Sequence, residues 1–153
     1  MEDAKADVAL LAPVPEVHLL SGLDRCRETG FVAFGSNAGM VLSELKGLVD
    51  PAHQADILFY ASISKHAGSP AARFRGRFVD FDGAVGGQAK KSWLEYRPIS
   101  TANDDGWMGF YLVSDLRELE LPVSLASLTK RGNHGKFSSM FVPFGPIIID
   151  TPF

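Results

Sequence analysis

The sequence predicts a mixed α/β fold: a mostly antiparallel sheet curled into a small open β-barrel, with two main helices packed around it. Three observations lead there. Strand and helix patterns alternate only in the first third of the chain. The apolar runs after Ala71 then follow one another with no long helix between them. Finally, 153 residues, 46 % hydrophobic and 22 % charged, suit one domain whose core needs no metal or disulfide. That domain is expected to span 1–153, with 1–7 as a flexible tail.

Taken in order, Val8-Ala9-Leu10-Leu11 reads as a short buried strand, ended by Pro13 and Pro15, which lack the amide donor that pairing needs. Pro15 opens a helix to about Glu28, with Leu19, Leu20, Leu23 and Cys26 on one face and Gly30 as its stop. Phe31 to Gly35 is a second strand. It runs into Ser36-Asn37, two good helix caps, and a helix whose Ala38, Val41, Leu42, Leu45, Leu48 and Val49 recur at helical spacing as far as Asp50-Pro51. A strand over Asp56–Ser62 follows, then an exposed loop from Ser64 to Pro70. A long strand from Ala71 to about Phe81 places Arg73, Arg75 and Arg77 on one face. Gly83 to Lys91, with three glycines and two lysines, reads as a mobile loop. Trp107 to Val113 is apolar on both faces, as a strand inside a sheet would be. Leu116 to Leu128 suggests short helical turns around Pro122, Lys130 to Ser139 a polar loop, and Pro146 to Asp150 the closing strand.

Within this frame the stretch Asp56 to Ser62 stands out. Period-2 geometry puts Leu58, Tyr60 and Ser62 on one side and Ile57, Phe59 and Ala61 on the other, so two hydroxyls share a face of an apolar strand. That is a floor for a small polar pocket. It is equally the pattern of a core tyrosine whose hydroxyl is satisfied.

Catalytic patterns are sparse. His18, His53, His66 and His134 are scattered with no HxH, HExxH or CxxC pair, so no metal site and no cofactor is expected. The single cysteine, Cys26, falls on an apolar helix face and reads as an inert thiol in a reducing setting. No GxSxG or phosphate-loop string occurs. Gly35-Ser36-Asn37-Ala38-Gly39 can cradle an anion or simply cap a helix, and Asp104-Asp105 reads as turn chemistry. The acidic start lacks the apolar core of a signal peptide and no apolar run approaches a membrane span, so a cytoplasmic protein with no membrane partner is expected. Net charge is −3, unevenly spread: residues 1–62 hold 4 Lys/Arg against 9 Asp/Glu, and residues 63–101 hold 7 against 3. The basic middle can face phosphates or be an ordinary solvated strand face.

Flat rings beside short hydrogen-bonding side chains at the ends of early strands suit an extruded nucleobase. Phe34, Tyr60 and Trp107 are candidate stacking surfaces, and Ser36, Asn37 and Ser62 candidate readers of the base edge. Arg73, Arg75, Arg77, Lys90, Lys91 and Arg97 are candidate phosphate contacts.

The order of Gly35-Ser36-Asn37, a helix to Leu45, Asp56-Ile57-Leu58-Phe59-Tyr60-Ala61-Ser62, Gly76-Arg77-Phe78-Val79, Trp107 to Val113 and Pro122-Val123-Ser124-Leu125-Ala126-Ser127-Leu128 resembles an EVE domain of the PUA-like superfamily. The resemblance covers about residues 8 to 150, and related YTH domains share an aromatic before the Ser at the strand-to-helix turn, where Phe34 stands here. It implies a PUA-like barrel and a pocket that takes a modified base from DNA or RNA. By position, Ser36 and Asn37 match the polar residues entering the first long helix, and Tyr60 and Ser62 the Tyr-x-Ser strand. The family's Trp and Arg-Asn string is replaced here by Phe34-Gly35-Ser36-Asn37, and the glycine-rich 83–91 has no counterpart. The expected function is non-catalytic binding of a modified nucleobase in nucleic acid. Two alternatives stay open: a protein-interaction module using an apolar patch around Phe137, Met140, Phe141 and Phe144, or a small nucleotide-related enzyme.

Overall fold

Six strands form one sheet in the computed structural model, which describes residues 8–62, 70–101, 106–138 and 143–153. The expected tail 1–7, Ser64 to Ser69, Asp104-Asp105, Met140 and Phe141 lie outside the described residues. The elements are β1 Val8–Val14, α1 Glu16–Thr29, β2 Phe31–Ser36, α2 Gly39–Leu48, β3 Asp56–Ala61, β4 Ala71–Gly83, β5 Gly109–Ser124 and β6 Ile147–Asp150. Short 3-10 turns occupy Lys91–Tyr96, Ile99–Thr101 and Leu125–Ser127.

The strand order is β2-β5-β4-β3-β1-β6. All neighbours are antiparallel except β1 and β3, which run parallel with Leu10 opposite Ile57. A parallel pair needs a long crossover, and α1, β2 and α2 provide it. Mixed α/β architecture with a mostly antiparallel six-stranded sheet is therefore present, and that sheet is open rather than closed into a barrel. β2 and β6 are the two edges, with no ladder between them among the described residues. α1 packs against β2, β3 and β5.

Alternation along β3 divides the interior as its sequence implies. Ile57 and Phe59 join Leu19, Leu23 and Cys26 of α1 and Leu42 and Leu45 of α2 in the main core. Leu58 and Tyr60 face the other way, against Leu11, Leu125, Leu128, Phe137 and Ile149. A third cluster packs Trp93 and Ala89 on Ala33, Phe110 and Leu112.

Four local expectations need correction. β1 continues through Pro13, which opposes Tyr60. Val14 turns its carbonyl to β3, accepting from Ser62 N–H. Pro13, one residue earlier, therefore turns its missing donor to the other edge, where pairing with β6 has already ended at Leu11. In α1, Leu20 is exposed, and Gly22 takes the inward position, because a Cβ there would come within 3.0 Å of the Phe34 ring. Gly30 does end the helix, at φ 90°, with its N–H on the Cys26 carbonyl.

The segment after Leu116 is strand, not helical turns, until Leu125. Leu119, Leu121 and Val123 alternate with Glu118, Glu120 and Pro122, a period-2 signal that the proline obscures. Beyond Ser114, among the described residues, only β4 pairs with β5, so a proline there sits on the side of the strand away from the ladder. Lastly, the glycine-rich 83–91 is a tight hairpin. Val85 and Gln88 bond reciprocally around Gly86 and Gly87, whose φ values of 62° and 81° make a type I′ turn.

Candidate functional site

The ends of β1, β2 and β3 converge on one cavity of about 520 Å³, lined among others by Pro13, Ser36, Asn37, Ser62, Trp107 and Phe144. Its volume falls in the range of small-molecule sites. Trp107 is its central ring, and three backbone features fix it. Gly106 N–H and Trp107 N–H both donate to the Gly87 carbonyl, at 3.0 and 3.3 Å, so the glycine hairpin holds the residue from one side. Met108 N–H donates to Asn37 Oδ1 at 3.0 Å, and the Met108 carbonyl accepts from Ala84 N–H at 2.9 Å. Third, the indole lies against Gly35. A Cβ at that position would stand 2.4 Å from Trp107 Cδ1 and 2.7 Å from Nε1, so only glycine leaves the ring where it is.

The hydroxyls have distinct local duties. Ser36 is buried, and its Oγ accepts from Ala38 N–H at 3.0 Å, closing the turn into α2. Asn37 holds Met108 through its oxygen, which leaves its amide donors toward solvent or a ligand. Ser62 is exposed at the end of β3. Phe144 stands fully exposed on the rim. The Trp107 indole N–H is buried with no acceptor among the described residues, a state that buried donors rarely occupy.

A smaller cavity of about 70 Å³ adjoins the first, sharing Pro13, Pro15, Gly35 and Trp107 and adding Phe34, His18, Arg97 and Thr101. Phe34 reaches it with little exposed surface, since its ring packs on Phe59 and Tyr111 at 5.5 and 5.9 Å.

Of the six residues expected to bind a base, Ser36, Asn37, Ser62 and Trp107 line the large cavity and Phe34 the small one. Tyr60 does not join them. It is 2 % exposed in the second core, and its hydroxyl donates to the Pro143 carbonyl. Burial pushes its pKa up to about 12. Tyr60 thus behaves as a structural tyrosine: strand alternation turns it to the Leu58 face, while the cavity forms beyond the strand end.

The expected phosphate contacts are dispersed. Arg75 opposes Leu58, pairs with Asp56 at 3.0 Å and lies over the Phe153 ring. Arg73 is half-buried and Arg77 exposed on the same strand, and neither lines the aromatic cavity. Lys90 pairs with Asp82, and that hydrogen bond holds the Asp82 carboxyl below its usual range; Lys91 is exposed. Only Arg97 reaches the site. Its guanidinium donates to the Ala33 carbonyl at 2.6 Å and lies 4.8 Å above the Phe110 ring.

Pro13 as a site residue was not legible, and Gly35 and Phe144 were read only as parts of an anion-cradling turn and of an apolar patch, although a glycine between Phe34 and Ser36 in a strand is a signal of close approach. Of the alternative apolar patch, Phe137 is buried and Phe144 belongs to the cavity rim. Among the described residues no group of three His, Cys, Asp or Glu could hold a metal. Ser62-Ile63-Ser64-Lys65, Ser43-Glu44-Leu45-Lys46 and Ser127-Leu128-Thr129-Lys130 all have Ser-x-x-Lys spacing; in the last, the Ser127 hydroxyl donates to the Ser124 carbonyl at 2.7 Å and the Lys130 ammonium lies 5.7 Å from the Phe137 ring. Lys65 lies outside the described residues, and the Lys46 ammonium is taken by Asp80 at 3.0 Å and the Phe81 carbonyl at 2.8 Å. No described helix is long and apolar enough to cross a membrane.

No family model and no curated protein matches the chain. Among solved structures, it is similar to a structural-genomics target protein from Pseudomonas putida, at 13 % identity and a TM-score of 0.49, over 94 % of this chain and 92 % of that one.

Proposed function

We propose that the Trp107 cavity binds a nucleobase of DNA or RNA, one carrying a modification, and releases it unchanged. The observation that carries this is the placement of one fixed indole beside Ser36, Asn37 and Ser62 in a cavity of about 520 Å³. A base stacks on the indole or on Phe144, while Ser62 and the Asn37 amide donors meet its polar edge. The preference for a modified base comes from the resemblance to EVE domains. In the same reading the chain is a PUA-like domain whose barrel stays open between β2 and β6.

The test is fluorescence anisotropy with short oligonucleotides that carry modified cytosine or adenine, set against unmodified controls. Modified strands should bind more tightly, and Trp107→Ala should cost about 1–3 kcal/mol of that affinity. Equal binding of both sets, together with no effect of Trp107→Ala, would sink the proposal.

A further inference from the structure

Beyond the small cavity lies a third, of about 260 Å³, reached across shared walls at Arg97 and Thr101. Its described lining contains two arginines, Arg25 and Arg97, and no carboxylate. Arg25 comes from α1 and Arg97 from the segment between two 3-10 turns, and they are tied together: Arg25 Nε donates to the Arg97 carbonyl at 3.2 Å. Arg97 is held in turn by the Ala33 carbonyl and the Phe110 ring. Glu28, on the same helix, stands 3.8 Å from Arg25 Nη1 and is mostly exposed, so that pairing is screened by solvent. Two positioned guanidinium groups at the wall of a recess are chemistry for a phosphate, whose oxygens accept their forked donors.

The three cavities follow one another: Trp107 and Gly35 line the first and second, Arg97 and Thr101 the second and third. We infer, on the base-binding reading above, that the Arg25–Arg97 recess is a phosphate subsite of the same ligand, entered by the backbone phosphate next to the base held at Trp107. The site is then a bent groove, aromatic and hydroxyl-lined at one end and cationic at the other. This also separates Arg97 from Arg73, Arg75, Arg77, Lys90 and Lys91, none of which lines the groove. Arg25 lies outside that segment and carries no motif of its own.

Two measurements test it. In the first, the full chain is titrated with inorganic phosphate and the side-chain N–H resonances of Arg25 and Arg97 are followed by NMR, with chloride at equal ionic strength as control. Phosphate should shift both saturably, and Arg25→Gln should weaken that response several-fold. Shifts no larger than those from chloride overturn the subsite.

In the second, affinity for a short single-stranded oligonucleotide is measured against salt. Each phosphate contact to a single strand adds about 0.7 to the slope of log affinity against log salt. Arg25→Gln and the milder Arg97→Lys should lower the slope by up to that amount, whereas Trp107→Ala should lower affinity and leave the slope alone. An unchanged slope in Arg25→Gln with Trp107→Ala still damaging overturns the phosphate subsite and spares the base site. Phosphate shifts at both arginines with no effect of Trp107→Ala do the reverse.

Discussion

Tyr60 and Trp107 are both amphipathic aromatics, and their surroundings are opposites. Tyr60 is enclosed by aliphatic residues of the second core and its hydroxyl has a partner, the Pro143 carbonyl. Trp107 is half-buried, borders two cavities, and its indole N–H has no acceptor among the described residues. A satisfied polar handle marks a residue whose job is packing, while Trp107 keeps half-exposed ring surface at a cavity wall. Both look alike in a sequence.

The largest effect that separates them is on stability. Tyr60→Ala should cost about 3–5 kcal/mol in denaturant unfolding, because it empties a filled site and strands the Pro143 carbonyl. Trp107→Ala should cost clearly less stability than that while removing base binding. Were the two losses equal, the contrast between core and site would collapse. Next in size comes Gly35→Ala, whose Cβ would meet the indole at 2.4 Å; about 1–3 kcal/mol of overpacking or a displaced ring should follow. Read in a Trp93→Phe background, Trp107 emission should shift; wild-type emission and stability together would show that the close approach is not a constraint.

The smallest effect is Tyr60→Phe, about 1 kcal/mol near neutral pH. It carries a pH signature. Burial raises the Tyr60 pKa from 10.0 to about 12, so above pH 10 the unfolded chain gives up this proton first. The associated stability is full below the unfolded pKa and is lost as pH rises through the folded one. Tyr60→Phe should therefore flatten part of the alkaline decline, leaving the share of Tyr111, whose burial also raises its pKa. An unchanged alkaline slope would mean that Tyr60 is not enclosed as described.

Local periodicity made much of the fold legible. The helical spacing from Val41 to Leu48, the alternation of Ile57 to Tyr60 and the glycine stop at Gly30 each depend on neighbours within a turn or a strand. At two of the four misread places, a proline was judged without knowing its edge. Among the described residues, Pro13 and Pro122 both sit in strands with an unpaired side, and which side is unpaired depends on strand order. The site was legible to the extent that strand ends converge. Ser36, Asn37, Ser62 and Trp107 meet, while Tyr60, one strand position earlier than Ala61, faces the other core.

By itself, then, the sequence determined the element types, the two faces of β3, the glycine beside Phe34 and the scarcity of catalytic patterns, because all of these follow from spacing along the chain. Only the tertiary structure decided that the sheet stays open, that the Gly86-Gly87 turn clamps Trp107, and that Arg25 and Arg97 share a recess. Those outcomes join residues up to 72 positions apart, as the hydrogen bond between Arg25 and Arg97 does. No local pattern encodes such a meeting; it is set by which strands pair and which faces the helices cover.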